Sequence, residues 1–200
     1  KKSPPLEAIE KAAIEIASTT MKIASIIKGL KTFAREGKND PFLVYRVSDI
    51  LNDALNLCRT RFHNHNIELK IQIEPKDLEL ECQAVQLTQV LVNLLNNAFD
   101  AVRTQESKWV EVIVKSQGRA VLFLVSDSGR GIARDIKEKI MQPFFTTKPV
   151  GQGTGLGLSI SKGIIENHRG KLEVLDNQSH TTFLISLPMR QDKVSGRAKI

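Results

Sequence analysis

The stretch that most limits what this chain can fold into is Gly151-Gln152-Gly153-Thr154-Gly155-Leu156-Gly157-Leu158, which runs directly into an apolar, helix-compatible segment, 159–166. Alternating glycines let a backbone take positive φ and pass close to a bulky group without steric penalty. A helix that begins there points its free N–H groups and its positive dipole end at the same spot. The pattern suits a polyphosphate, and it equally suits a flexible surface turn that caps a helix. Two familiar phosphate loops are excluded. A Walker A loop ends in Gly-Lys-Ser or Gly-Lys-Thr, and neither triplet occurs. The dinucleotide fingerprint, counted from Gly153 and Gly155, requires a third glycine where Leu158 stands.

The remainder of the chain supplies context. Two hundred residues with 41% hydrophobic content can bury a real core, as one domain with an appendage or two small ones. No apolar run has the length of a membrane span and no signal-peptide pattern opens the chain. The net charge of +7 comes from scattered Lys and Arg without interleaved aromatics, a solvated surface rather than a nucleic-acid footprint. Cys58 and Cys82 lack metal-ligand or redox spacing, so reduced thiols in or near a core are expected. His63, His65, His168 and His180 include no zinc-type pair, and the first two are expected in a loop after a helix.

Residues 6–36 read as one long helix. Ile9, Ile16, Ile23 and Leu30 recur every seven residues, with Ala13, Thr20, Ile27 and Ala34 four further on. Such a seam takes a partner helix, or packs on its own domain. Gly37 and Pro41 end it. A strand is expected over 42–47, a helix capped by Ser48 and Asp49, an alternating strand over 67–73 and a shorter one over 78–82.

Residues 83–103 carry a wide apolar face of Leu87, Val90, Leu91, Leu94, Leu95, Ala98 and Val102. Gln89, Asn93, Asn96, Asn97 and Asp100 lie opposite. Asparagine is a weak helix former, and Asn93, Asn97 and Asp100 at i, i+4 and i+7 present oxygens in a row. A hard cation such as Mg²⁺ takes few protein oxygens beside water and phosphate, so this face fits one; it also fits a plain polar surface.

Strands are expected at 109–116 and 120–126, the second apolar enough to lie centrally. It runs into Asp127-Ser128-Gly129-Arg130-Gly131, where a buried carboxylate could accept a hydrogen bond from an amine such as adenine N6, or merely cap a turn into a helix over 134–141. Pro143-Phe144-Phe145-Thr146-Thr147-Lys148 follows, and 133–154 reads as a mobile lid. A helix over 156–165 and a closing hairpin, 171–175 with 182–187, complete the pattern.

Taken in order, these patches resemble the catalytic, ATP-binding domain of sensor histidine kinases, within the gyrase/Hsp90/histidine kinase/MutL superfamily. Residues 89–98 look like that family's N box, 127–131 its first glycine box, 143–148 its F box and 151–158 its second glycine box. The resemblance covers roughly 42–188 and implies a two-layer α/β sandwich, a mixed sheet covered by helices and preceded by one long helix. It implies ATP or ADP with Mg²⁺ as ligands. Asn97 would hold the metal, with Asn93 near the phosphates and Lys148 a lid cation at the γ-phosphate. Asp127 would bind the adenine amine, helped by Thr182 through water. Gly129 and Gly131 would let the nucleotide approach, and Gly153, Thr154, Gly155, Leu156 and Gly157 would wrap the phosphates. The implied organisation is a partial dimerisation and phosphotransfer helix over 1–38, the ATP-binding domain over 39–189 and a disordered tail over 190–200. A homodimer through the hairpin, a response-regulator partner and a bacterial cytoplasmic location go with it, without nucleic-acid or membrane contact by this stretch.

Two departures stand out. No histidine precedes His63, so the helix with the phosphoacceptor is expected to lie outside the sequence. Asp100 occupies a place where many members carry Lys. An ATPase of the same superfamily would carry Glu at the position of Asn93 to activate water, and an amide cannot take that proton. A non-catalytic nucleotide-sensing module is the third possibility; the intact motifs weigh against it.

Overall fold

The computed structural model describes residues 9–10, 12–16, 19–20, 40–149, 153–175 and 180–191. Described residues between 9 and 20 are helical and exposed, Ile9 and Ile16 included. The rest of the heptad pattern, from Ile23 to Ala34, lies outside the described residues, as do Gly151, Gln152 and 192–200.

From residue 43 onward the order is β1 (Leu43–Arg46), α1 (Val47–Asn64), β2 (Glu68–Glu74), β3 (Glu79–Cys82), α2 (Ala84–Val102), β4 (Trp109–Gln117), β5 (Ala120–Asp127), α3 (Arg134–Lys137), α4 (Gly157–Asn167), β6 (Lys171–Val174) and β7 (Thr181–Pro188). Five strands form a mixed sheet in the order β2-β4-β5-β7-β6, parallel only between β2 and β4. β5 is its middle strand, as its apolar run predicts. β1 and β3 pair antiparallel in a separate two-stranded sheet.

Alternation decides which face of the large sheet is covered. Val110, Val112 and Val114 on β4, Val121, Phe123 and Val125 on β5, and Phe183, Ile185 and Leu187 on β7 are all buried, while Leu122, Leu124 and Leu184 between them are only half-buried. The helical layer lies on the buried side. α2 is its centre, packing on α1, α4 and β5 through Leu87, Val90, Leu91, Leu94, Leu95, Ala98, Phe99 and Val102. Cys58 and Cys82 are free thiols in this core, and burial pushes the Cys82 thiol up to about 12.

Three local expectations are corrected. α1 starts at Val47 with Arg46 at the cap and no side-chain capping bond; Ser48 and Asp49 fall inside the first turn. Val47 is fully buried and its N–H donates to the Leu78 carbonyl at 2.9 Å, so a tertiary anchor fixes the helix start. α1 also runs to Asn64, which puts His63 in its last turn and leaves only His65 at the C-cap. The helix expected over 134–141 is one turn, Arg134–Lys137, unwinding into successive turns ahead of Pro143.

Candidate nucleotide site

The exposed side of α2, the end of β5, the 143–148 segment and the start of α4 converge. α2 brings Asn93, Asn96, Asn97 and Asp100 to one half-exposed face, because the opposite stripe is locked into the core. Asn93 is tied to α4: its Nδ2 donates to Ser161 Oγ at 2.9 Å, and Ser161 is buried. Gly157, first residue of α4, lies so close that any side chain there would run into the Asn93 amide. The helix carrying the glycine loop is therefore seated directly on the asparagine face.

The described part of the loop is docked on the phenylalanine segment. Gly155 has φ +67°, and an added Cβ would strike the Phe144 and Phe145 carbonyls. Phe144 itself sits at φ 67°, a left-handed conformation that a large side chain resists, and the residue is 63% exposed. Thr146 Oγ1 accepts the Lys148 N–H at 3.1 Å, and Thr154 Oγ1 accepts the Leu156 N–H at 3.3 Å. Leu156 is buried and precedes an eleven-residue helix with no acidic residue in its first turn. That end of α4 offers N–H groups and a positive dipole to an anion.

At the other end of the site, Asp127 closes β5 and is only 3% exposed. Its Oδ1 accepts the Gly129 N–H at 2.9 Å. Burial pushes this carboxyl up from an ordinary 3.8 to about 6, and the Gly129 bond pulls partly the other way. A further donor would compensate the buried charge, and an exocyclic amine is such a donor. The register corrects one residue. Asp127 faces Thr181 across the β5–β7 ladder, so those two share the helix-covered side. Thr182 pairs with Ser126 on the opposite side, where the two hydroxyls share a 2.9 Å hydrogen bond. Thr181, not Thr182, is thus the threonine on the same side of the sheet as Asp127.

The oxygens of α2 already face a cation. Lys148 Nζ donates to Asp100 Oδ2 at 2.6 Å and lies 3.5 Å from Asn97 Oδ1. Arg61, on α1, places its guanidinium 3.8 Å from the centre of the Phe99 ring and donates to Asn96 Oδ1 at 3.0 Å and Asp100 Oδ1 at 3.3 Å. These carboxamide and carboxylate oxygens are hard donors of the kind Mg²⁺ takes alongside phosphate oxygens, so the donor set fits the metal. Among the described residues no group of three His, Cys, Asp or Glu forms a dedicated metal cluster.

Of the residues singled out from the sequence, Asn93, Asn97, Lys148 and the described loop residues lie together, with Asp127 at the end of β5 and Gly129 and Gly131 in the turn after it. Sequence patterns miss Arg61, Ser161 and Thr181. Arg61 and Ser161 enter through helix–helix packing, which no local pattern encodes. Thr181 is within reach of the strand period, one residue from Thr182.

Comparison with known proteins agrees with this geometry. Residues 82–191 match the model of the histidine kinase-, DNA gyrase B- and HSP90-like ATPase family, and the chain belongs to that family. The C4-dicarboxylate transport sensor protein DctB of Rhizobium meliloti (strain 1021) is 34% identical over 86% of this chain and 27% of its own length. The sensor histidine kinase ZraS of Escherichia coli (strain K12) is 33% identical over 72% of this chain and 30% of its own. The chain thus spans about a third or less of these relatives. Among solved structures, the nucleotide-free catalytic domain of histidine kinase ThkA superposes with TM-score 0.69 at 32% identity, covering 75% of this chain and 97% of that one. ThkA in complex with the response regulator protein TrrA superposes at 0.71 with 25% identity, covering 94% and 53%. The mixed sheet under a helical layer is the histidine kinase catalytic-domain fold.

Proposed function

We propose that this chain supplies the ATP-binding catalytic part of a sensor histidine kinase, which transfers the γ-phosphoryl group of ATP to a histidine for relay to a response regulator. The observation that carries the reading is the seating of the glycine-loop helix on the asparagine face, with a buried carboxyl at Asp127 at the far end. A triphosphate then lies between the start of α4 and α2, with adenine at Asp127. Asn97 would hold Mg²⁺, which when bound neutralises phosphate charge. Asn93 fixes α4 and can donate to a phosphate oxygen, Lys148 contributes a positive charge, and Thr181 supports Asp127. Positioning and charge stabilisation account for the catalysis, since the site offers no carboxylate at position 93 to activate water.

None of the described histidines suits the acceptor role. His168 is fully buried with both ring nitrogens engaged, and His65 Nδ1–H donates to the Arg61 carbonyl while its ring packs on Phe99. His180 packs against Trp109, and His63 sits in the last turn of α1 with Asn64 rather than an acidic residue after it. Incubation with γ-labelled ATP should leave the chain unlabelled, whereas an added histidine-bearing helical hairpin from a related kinase should acquire acid-labile label. Steady phosphate release without any labelled histidine would favour the ATPase reading instead. The relationship to ThkA, solved with a response regulator, supports the relay, and the heptad residues near the start of the chain support dimerisation through a hairpin.

A further inference from the structure

The pairing of Lys148 with Asp100 goes beyond the nucleotide reading, and its role rests on that reading. Asp100 lies three residues after Asn97, so their side chains share one face of α2. A single ammonium, Lys148 Nζ, faces both: 2.6 Å from Asp100 Oδ2 and 3.5 Å from Asn97 Oδ1. The second carboxylate oxygen of Asp100 is held by Arg61 at 3.3 Å, which fixes the carboxylate plane. The stem of Lys148 lies near Gly153, where an added Cβ would come within 3.2 Å of Lys148 Cδ. The side chain therefore spans the gap with its stem on the glycine loop and its head on α2.

We propose that Asp100 is the resting counter-ion of Lys148 and makes release of this lysine depend on the divalent cation. The ammonium stands beside the oxygen that would ligate the metal. Mg²⁺ and the ammonium repel each other and compete for the same face. Arrival of the metal with a nucleotide drives Lys148 off α2, and because its stem already lies by Gly153, rotation of its outer bonds brings the ammonium to the phosphates on the loop. Metal-free nucleotide leaves Lys148 on Asp100 and binds without its charge. Asp100 is thus a positioning residue, acting through Lys148 rather than on the reacting atoms. The same carboxylate also tethers the segment around Lys148 to α2 before nucleotide arrives.

The test uses the full chain and two variants, Asp100→Asn and Lys148→Met, with ATP titrated by calorimetry in magnesium chloride and in EDTA. In Asp100→Asn the lysine is free at the outset and a negative charge is gone. ATP in EDTA should bind roughly three- to tenfold tighter than to the parent chain, so that the enhancement by Mg²⁺ shrinks by a similar factor. In Lys148→Met the EDTA affinity should not rise. Hydrogen exchange read without nucleotide should show faster amide exchange over 142–149 in both variants, because each breaks the same tether. An Mg²⁺ enhancement and an exchange rate in Asp100→Asn equal to those of the parent would overturn the proposal while leaving the nucleotide site intact. A parent chain that binds no ATP even with Mg²⁺ would remove the functional reading, and this inference with it.

Discussion

Asp127 shows how a buried carboxyl is held at the expense of stability. Its carboxyl is almost wholly buried, and burial pushes it up to about 6, so between the ordinary value of 3.8 and about 6 the folded chain holds a proton that the unfolded chain has lost. The stability this group contributes is therefore greatest below pH 3.8, falls as pH rises to 6, and is level above. A shift of this size corresponds to about 3 kcal/mol. Asp127→Asn keeps an acceptor for the Gly129 N–H without the charge, and it should stabilise the nucleotide-free protein at pH 7–8 by up to that amount, with the gain vanishing below pH 4. Thermal melts across pH would show it; equal melting of variant and parent at pH 8 would mean the buried charge is compensated. Nucleotide binding has the opposite dependence, because the ionised carboxylate is the better acceptor for an amine. Affinity for ATP should weaken as pH falls below 6, and Asp127→Ala should lose adenine nucleotides far more than inorganic tripolyphosphate. Equal loss of both would make Asp127 a structural residue.

Elements are joined by a few side chains that no single element specifies. His168, at the C-terminal end of α4, donates from Nδ1 to the Ile164 carbonyl at 2.8 Å and accepts the Gln83 N–H on Nε2 at 3.1 Å, linking α4 to the start of α2. Phe42 packs edge-on against its ring at 4.9 Å, and the Gln83 side chain donates to the Asp40 carbonyl. Burial lowers the pKa of His168, so its share of stability is lost as pH falls below the ordinary histidine range, where only the unfolded chain takes the proton. His168→Leu removes the ring that accepts the Gln83 N–H and should destabilise by about 1–3 kcal/mol in urea unfolding. Gly157→Ala should cost a similar amount, about 1–3 kcal/mol, by driving Asn93 off its Ser161 bond. If Gly157→Ala melts and binds like the parent, α4 is not seated on Asn93 as described. These joints mark the limit of what the sequence discloses. Period-two alternation reveals β2, an apolar run reveals β5, and a 3.6-residue period reveals the two faces of α2, because each pattern is written within its own element. The start of α1 at Val47, the unwinding after Lys137 and the arrival of Arg61 beside Asp100 depend on partners distant in sequence, so local cap and turn rules misjudge or miss them.

At the scale of the whole molecule, the sheet and its helical layer form the scaffold on which the proposed site is built. Asp127 is positioned by the central strand, the asparagine face by the central helix, and the glycine turn by a helix bolted to that face. Among the described residues no helix is long and apolar enough to cross a membrane. The central claim is that these parts form one Mg²⁺-dependent ATP site, and calorimetric titration of ATP against the chain and its Asn97→Ala variant, each with magnesium chloride and with EDTA, tests it most directly. The parent should bind ATP more tightly with Mg²⁺, and Asn97→Ala should keep its melting transition while losing most of that enhancement. Unchanged Mg²⁺-ATP affinity in Asn97→Ala would contradict the account.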